Sequence, residues 1–388
     1  MQQRYFMAFL GALAGLAAAS TDIYIASMPT ITHLLHTDTA TTQLTLSLFF
    51  IGFAISQLIW GPLSDRFGRK SMLIAGLALF VLGGLLCALS HSIHELIASR
   101  IIQAIGAGCS FVMAFSMIKD HFTDTDMGKA VRVVTVTMML APMIAPILGS
   151  YLLAWINWQA TFYFLFLYGL MLLVCACLIP ETYPKAKRTP LPVHALFSAY
   201  AVQSKHAPFL FAAIAFATNF AVMFCFISAS PFIYIKLYHV AKSDFGYFFA
   251  FNALALILGN LSTNRMSKRF SLKGLMFGAS TLSVCASILM IISMQAFPHT
   301  TLALALPCFL VTFGVGVLYP TTIGEALRHV VQHNGIASAL ANTIRHISAA
   351  CVGLVLGFFI AHSGLPLAWA SLVLSAVTLG FLFLYFRR

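Results

Sequence analysis

Residues 61–70 read G-P-L-S-D-R-F-G-R-K, a short polar segment between two long apolar runs. The segment carries three basic side chains and one acidic side chain. Apolar runs of about 20 residues are long enough to cross a lipid bilayer as helices. The segment is therefore predicted to be a tight cytoplasmic turn between two membrane spans. An ordinary basic loop with no further role is the alternative interpretation.

The composition extends this prediction to the whole chain. Hydrophobic residues make up 60% of the sequence and charged residues 8%, against about a quarter charged in soluble domains. Backbone polar groups in hydrocarbon must be satisfied within their own segment, so each apolar run is predicted to be a helix. The predicted fold class is an all-α polytopic membrane protein with twelve transmembrane helices. The predicted spans are 7–28, 43–63, 71–89, 94–117, 132–154, 159–179, 208–230, 244–262, 272–293, 301–323, 335–361 and 366–386.

The positions of the basic residues predict the topology. The net charge of +12 alone would be compatible with nucleic-acid binding. With the N-terminus inside, however, Lys236 and Lys242 are the only basic residues in outer loops, and Arg100 and Arg345 the only ones within spans. Such asymmetry is the positive-inside rule. The sequence thus predicts a multi-pass membrane protein with both termini cytoplasmic, a lipid bilayer partner and no nucleic-acid partner.

Motifs of catalysis and cofactor binding are not found. The sequence has no Gly-rich phosphate loop, no H-E-x-x-H pattern and no nucleophile elbow. All eight cysteines fall within predicted spans, and Cys175 and Cys177 point to different faces of one helix. We therefore predict no enzymatic activity, no cofactor, no metal site and no disulfide. No segment is long enough for a nucleotide-binding domain, so energy is expected to come from an ion gradient or from the substrate itself.

The chain is predicted to consist of two halves. Residues 180–207 contain four prolines and several basic residues and form the longest cytoplasmic connection. This linker separates an N-terminal half, 1–179, from a C-terminal half, 208–388, each with six spans. Within the linker, residues 191–204 are expected to form a short helix on the membrane surface.

The segment 61–70 resembles the loop between the second and third helices of major facilitator superfamily transporters, G-x-L-[SA]-D-R-x-G-R-[KR]. The two six-helix halves agree with this resemblance, and transporters of this layout rock around a site at the midplane. In that family Gly61 and Gly68 correspond to positions that allow close helix approach and a turn.

The same resemblance implies a conformational latch. Asp65 is expected to face the N-terminus of the eleventh helix in the outward-open state, where a carboxylate meets a positive dipole. Arg69 is expected to reach Asp120 at the inner end of the fourth helix. The residues assigned to the latch are Gly61, Asp65, Arg66, Gly68, Arg69 and Asp120.

Two further motifs narrow the resemblance. Residues 141–149, A-P-M-I-A-P-I-L-G, look like the antiporter motif of drug-exporting members, with Pro142, Pro146 and Gly149 as its key positions. A generic kinked helix is the alternative. Residues 22–25, D-I-Y-I, and 230–234, S-P-F-I-Y, resemble the Bcr/CflA-type drug-resistance transporters.

Ionisable groups within spans are costly and are functional candidates by default. Asp22 lies in the outer half of the first span, and Arg100 lies at similar depth in the fourth, within a motif resembling R-x-x-Q-G. Burial and a nearby guanidinium change the proton affinity of a carboxyl in opposite directions. Asp22 and Arg100 are therefore predicted to couple transport to protons. A static Asp22–Arg100 ion pair is the alternative.

Arg345 lies about ten residues into the eleventh span, roughly 15 Å from its inner end, where family members usually have a neutral residue. Gly335, Ser338, Asn342 and Ala349 share its helix face. Arg345 is expected to bind an anionic substrate; pairing with a helix carbonyl or with Glu325 is equally compatible. Glu325 itself is expected at a gate or at the surface.

The remaining polar, aromatic and Met positions are assigned to an adaptable substrate cavity. With Arg345 included, the predicted cavity residues are Tyr24, Gln103, Asn219, Met223, Phe226, Asn252, Tyr319, Asn342 and Arg345.

The resemblance makes the leading functional hypothesis a monomeric, proton-coupled exporter that carries small drug-like compounds across the bacterial inner membrane by alternating access. A dedicated transporter of one metabolite, such as a carboxylate siderophore, is the second hypothesis. A membrane sensor that transports nothing is a third, of a different class. The expected partners are a small-molecule substrate and protons.

Overall fold

A computed structural model describes residues 3–184, 186, 188, 193–328, 330, 334–360 and 363–387. The described chain is dominated by α-helices, with no strand among these residues. The helices are α1 Gln3–Asp22, α2 Met28–Leu34, α3 Thr39–Phe67, α4 Arg69–Leu89, α5 Ile93–His121, α6 Asp124–Trp155, α7 Gln159–Leu178, α8 Val193–Ser204, α9 Ala207–Pro231, α10 Phe245–Met266, α11 Leu272–Ala296, α12 Thr301–Arg328, α13 Asn334–Gly357 and α14 Leu365–Arg387.

The prediction of twelve membrane spans is confirmed. Within the described residues, twelve helical segments are long and apolar enough to cross a bilayer. The first comprises α1, a short 3₁₀ turn and α2, and the seventh comprises α9 and a π-helical extension. The remaining helix, α8, falls where the sequence predicted a short linker helix. The other predicted linker residues lie partly outside the described residues.

The helices assemble into two compact units. The first unit consists of Met1–Thr37 and Leu44–Pro192, and the second of Asp38–Gln43 and Val193–Arg388. In the first unit, α4 packs against α5 and α7, and α1 packs against α5 and α6. In the second, α12 packs against α10 and α11, and α9 packs against α13 and α14. The predicted boundaries at 179 and 208 stay a prediction.

The first span is interrupted at a functional candidate. Helix α1 ends at Asp22, and a 3₁₀ turn at Ile25–Ser27 leads into α2. Gly149 on α6 makes room for this break, because a Cβ at that position would lie 1.7 Å from the Ile23 carbonyl oxygen. Irregular backbone at membrane depth is tolerated where protein covers it. The third residue of the predicted antiporter motif therefore lies directly against the break.

Proline has different consequences in two other spans. Helix α6 continues through both Pro142 and Pro146 without interruption. In the seventh span the α-helix ends at Pro231, and the chain continues as a π-helix over Phe232–Leu237. Single π-helical turns inside helices are often found at functional sites.

Candidate functional site

Arg100 on α5 is the largest fully buried side chain of the first unit, with 0% exposure. Its Nη1 donates to the Ser20 carbonyl at 3.0 Å and to Oε1 of Gln103 at 2.6 Å. The guanidinium carbon lies 4.3 Å from the ring centre of Tyr24 and 4.1 Å from that of Phe49. Its Nε and Nη2 have no hydrogen-bond partner in the described part of the chain. The structure thus brings together Arg100 and two predicted cavity residues, Tyr24 and Gln103.

Asp22 lies at the end of α1, 4% exposed, and its Oδ1 accepts a hydrogen bond of 3.0 Å from the Thr21 hydroxyl. The static Asp22–Arg100 ion pair is wrong for this structure, because no ion pair joins the two residues in the described part of the chain. The guanidinium is instead held by the Ser20 carbonyl, in the last turn of α1. Arg100 therefore contacts the backbone beside Asp22, while the Asp22 carboxyl has no cationic partner among the described residues.

A second buried guanidinium lies in the second unit. Arg345 on α13 is 7% exposed, and its Nη1 donates to the Tyr319 hydroxyl of α12. Phe220 and Phe216 of α9 lie close to it, with ring centres 4.6 Å and 5.4 Å from the guanidinium carbon. Its Nη2 lies 2.9 Å from Nε2 of the next residue, His346.

His346 is a member of this cluster that sequence reasoning missed. Its ring is buried, and its Nδ1 lies 2.7 Å from the Asn342 carbonyl. The signal available in the sequence was a titratable side chain inside an apolar span, whereas most of the other histidines were predicted to lie in loops. The cluster therefore joins three predicted cavity residues, Tyr319, Asn342 and Arg345, to His346.

The alternatives for Arg345 are not formed. Within the described part of the chain, its hydrogen bonds go to the Tyr319 hydroxyl and the His346 ring and not to a helix carbonyl, and Glu325 pairs instead with Arg328 at 2.8 Å. Glu325 also accepts a hydrogen bond from the Tyr385 hydroxyl and is 4% exposed. The expectation of a surface position for Glu325 is therefore wrong, because α14 covers it.

The other predicted cavity residues make helix-packing contacts within the second unit. Asn219 donates to the Val315 carbonyl at 3.2 Å, which ties α9 to α12. Phe226 packs on Phe249, with ring centres 5.5 Å apart. Met223 packs against the apolar cluster around Val315. Asn252 is buried on α10. The substrate role of these four residues stays a prediction.

A charged cluster surrounds Arg69 at the start of α4. Its Nε lies 2.8 Å from Asp120 and its Nη1 lies 2.6 Å from Asp65. Its Nη1 also donates to the Ser64 hydroxyl. The expected contact between Arg69 and Asp120 is thus formed. Its role as a latch, and the expected approach of Asp65 to the eleventh span, stay predictions.

The same helix start is capped by a residue that the sequence did not indicate. Glu181, just after α7, accepts hydrogen bonds from the backbone N–H groups of Arg69 at 3.0 Å and Lys70 at 3.4 Å. Arg188 of the linker pairs with this carboxylate at 3.3 Å. Gly68 precedes the helix with φ of +98°, a conformation that other residues rarely adopt. Hydrogen bonds through Glu181 therefore connect the linker directly to the polar segment 61–70.

Two predicted latch positions make few contacts in this structure. A Cβ built at Gly61 would meet no atom of the described residues within 4 Å. The close helix approach expected at Gly61 is therefore absent here. Arg66 is exposed and lies over the ring of Phe67, 5.2 Å from its centre.

Comparison with known proteins agrees with the motifs. The sequence matches the Major Facilitator Superfamily over residues 10–353. It is 30% identical over 361 residues to the uncharacterized MFS-type transporter YdgK of Bacillus subtilis, covering 92% of this chain and 89% of that protein. It is 29% identical over 387 residues to a bicyclomycin resistance protein homolog of Haemophilus influenzae, covering 97% and 96%.

The fold also matches a solved structure. The crystal structure of a D-xylose-proton symporter aligns with a TM-score of 0.79 at 14% sequence identity, covering 98% of this chain and 97% of that one. At this identity the likeness concerns the fold alone. The predicted fold class, and the resemblance drawn from the motifs, are confirmed.

Proposed function

The chain belongs to the major facilitator superfamily, and we propose that it is a proton-coupled secondary transporter. It exports small drug-like compounds across the bacterial inner membrane by alternating access, as a monomer with both termini in the cytoplasm. The drug-like substrate class is supported by the bicyclomycin resistance homolog, which covers nearly the whole chain, and by the motifs at 22–25, 141–149 and 230–234.

One observation carries the proton coupling. Asp22 is a buried carboxyl without a cationic partner, placed where the first span breaks. An ionisable group at membrane depth destabilises the protein, so its presence there indicates a function. Broken helices are where transporters of several folds bind substrates and ions. We assign proton exchange to Asp22, and assign to Arg100 the positioning of the backbone beside it through Ser20.

A change in the contact between Arg100 and Asp22 would account for alternating uptake and release of the proton. Arg100 has two guanidinium nitrogens without partners, so it can form further hydrogen bonds when its surroundings rearrange. A rearrangement that moves Arg100 toward or away from Asp22 would change how tightly the carboxyl holds its proton. The proton would then be released in one state and taken up in the other.

The test is transport in proteoliposomes driven by an imposed pH gradient, with bicyclomycin as substrate. We expect Asp22→Asn to abolish gradient-driven accumulation while equilibrium binding persists, because the amide cannot exchange a proton. The matched control is Asp126→Asn, which removes an acid that is paired with Lys129 at the protein surface. Uphill, pH-dependent transport by the Asp22→Asn protein would refute the assignment.

A second candidate is a dedicated transporter of one carboxylate-bearing metabolite, and the buried Arg345 favours it. The two candidates differ in selectivity. A panel of drugs and carboxylate metabolites, assayed for proton movement in the same proteoliposomes, separates them: activity with several unrelated drugs supports the first, and activity with one acid alone supports the second.

A further inference from the structure

Arg345 is a buried cation that lacks an acidic partner. None of the ion pairs formed among the described residues involves it. Its Nε has no hydrogen-bond partner. A charge taken out of water without a counter-charge is strongly disfavoured. The charge of Arg345 is therefore not balanced by any described residue, and a negatively charged group is missing beside it.

The groups that touch the guanidinium do not supply the missing charge. Nδ1 of His346 faces the Asn342 carbonyl, an acceptor, so this nitrogen carries the ring proton. Nε2 faces the Arg345 Nη2, a donor, so this nitrogen accepts. His346 is thus neutral in this geometry. The other polar partner of the guanidinium, the Tyr319 hydroxyl, is neutral as well.

The chemistry of the cluster selects a carboxylate as the missing group. A guanidinium presents its N–H groups in a planar fork that matches the two oxygens of a carboxylate. The Tyr319 hydroxyl can add a further donor to such a group. The rings of Phe216 and Phe220 offer an apolar contact for the body of the ligand. A cationic ligand would face the repulsion of the guanidinium at low dielectric.

We propose that Arg345, Tyr319 and His346 form a binding site for the carboxylate of acid-bearing small molecules with an aromatic or apolar body. Arg345 forms the ion pair, Tyr319 donates a hydrogen bond, and His346 orients the guanidinium. This inference names a substrate class and rests on the proposed transport function. The site lies wholly within the second unit, and the residues assigned to proton exchange belong to the first unit.

The test compares benzoate with benzamide, which have nearly the same shape and differ in charge. Equilibrium binding to the purified full-length protein is measured by saturation-transfer NMR at constant ionic strength. We expect the wild type to bind benzoate about tenfold or more tightly than benzamide, the ratio typical of one charged hydrogen bond. Arg345→Gln is expected to remove this preference, because the fork and the charge are both lost.

Two further variants keep the test decisive. Arg328→Gln is the matched control, because Arg328 is a cation on the neighbouring helix α12 whose side chain is 69% exposed. It is expected to keep the preference for benzoate. Tyr319→Phe keeps the size of the ring and removes one donor, so it is expected to weaken benzoate binding several-fold with benzamide unchanged. If Arg345→Gln does not fold, Tyr319→Phe decides.

Several results would overturn the proposal: equal binding of the two probes by the wild type, no binding of benzoate, or a preference that survives Arg345→Gln or Tyr319→Phe. The measurement needs no pH gradient. Continued proton-driven transport by Asp22→Asn would therefore refute the proposed coupling and leave the carboxylate site standing. A wild type that shows no preference for benzoate but normal proton coupling would refute the carboxylate site and leave the proposed coupling standing.

Discussion

At the scale of single residues, the two buried arginines are held in the same way by neutral groups. Arg100 donates to a backbone carbonyl and lies over Tyr24 and Phe49. Arg345 donates to a tyrosine hydroxyl and lies over Phe220. Contacts between a desolvated guanidinium and aromatic rings contribute about 2 kcal/mol. Such contacts hold the cation in place and leave it able to pair with an acid.

Gly149 yields a prediction at this scale. Substituting Gly by Ala within a helix normally stabilises it by up to about 1 kcal/mol. At Gly149 the added methyl group would overlap the Ile23 carbonyl. We expect Gly149→Ala to lower the free energy of unfolding by about 1–3 kcal/mol, the usual range for overpacking, measured by thermal unfolding in detergent.

Gly128 provides the control on the same helix. A Cβ there would meet no atom of the described residues within 4 Å, so Gly128→Ala is expected to be neutral or slightly stabilising. If Gly149→Ala and Gly128→Ala had the same thermal unfolding midpoint, the close contact between Gly149 of α6 and the Ile23 carbonyl would be disproved.

Sequence could locate both arginines, because a charge inside an apolar run is visible without a structure. It could not supply their partners. The partner of Arg100 at Ser20 is a backbone carbonyl, which every residue has, so the sequence does not single it out. Tyr319 is one of many aromatic residues in this chain, so it does not stand out as the partner of Arg345. His346 could have been predicted as a member of the cluster, because it follows Arg345 directly in the same span.

At the scale of elements, ion pairs and hydrogen bonds connect the start of α4 to residues that are distant in sequence. The motif resemblance predicted that Arg69 would contact Asp120, and it does. The cap supplied by Glu181 was not predictable, because a carboxylate that caps a remote helix has no fixed spacing from it. Helix capping and dipole interactions of this kind contribute about 0.5–2 kcal/mol.

The Arg69–Asp120 pair gives the prediction for this scale. The Arg69 side chain is 9% exposed, so the loss of a charged partner is poorly compensated by water. We expect Asp120→Asn to lower stability by about 1.5–3 kcal/mol, as for other hydrogen bonds to charged groups, and to slow turnover. Thermal unfolding and transport rates measure the two effects.

The exposed Lys129–Asp126 pair is the matched control, with side chains 65% and 28% exposed. Asp126→Asn is expected to cost less than about 1 kcal/mol, as is typical of surface pairs. If both substitutions had the same small effect on stability and turnover, neither the packing argument nor the latch role would survive.

At the scale of the whole molecule, hydropathy was sufficient to predict twelve spans, because each must hold a long apolar run. The interruptions were not predictable in the same way. The break after Asp22 lies inside the run predicted as span 7–28, and the π-helix over Phe232–Leu237 extends the seventh span beyond its predicted end at residue 230. Their positions depend on packing, such as the close approach of Gly149 to Ile23, which a hydropathy profile does not report.

The last prediction concerns how these spans are oriented in the membrane. Lys236, at the end of the seventh span, and Lys242, in the loop that follows it, are the basic residues that depart from the inward bias, and that bias sets topology. We therefore expect a green fluorescent protein fused to the C-terminus to fluoresce, because it folds in the cytoplasm. Alkaline phosphatase fused after Val240, in the loop before α10, should be active, because it matures outside. Active phosphatase at the C-terminus, with an inactive fusion at Val240, would reverse the orientation. It would place the Arg69–Asp120 pair on the outer side, where a cytoplasmic latch has no meaning.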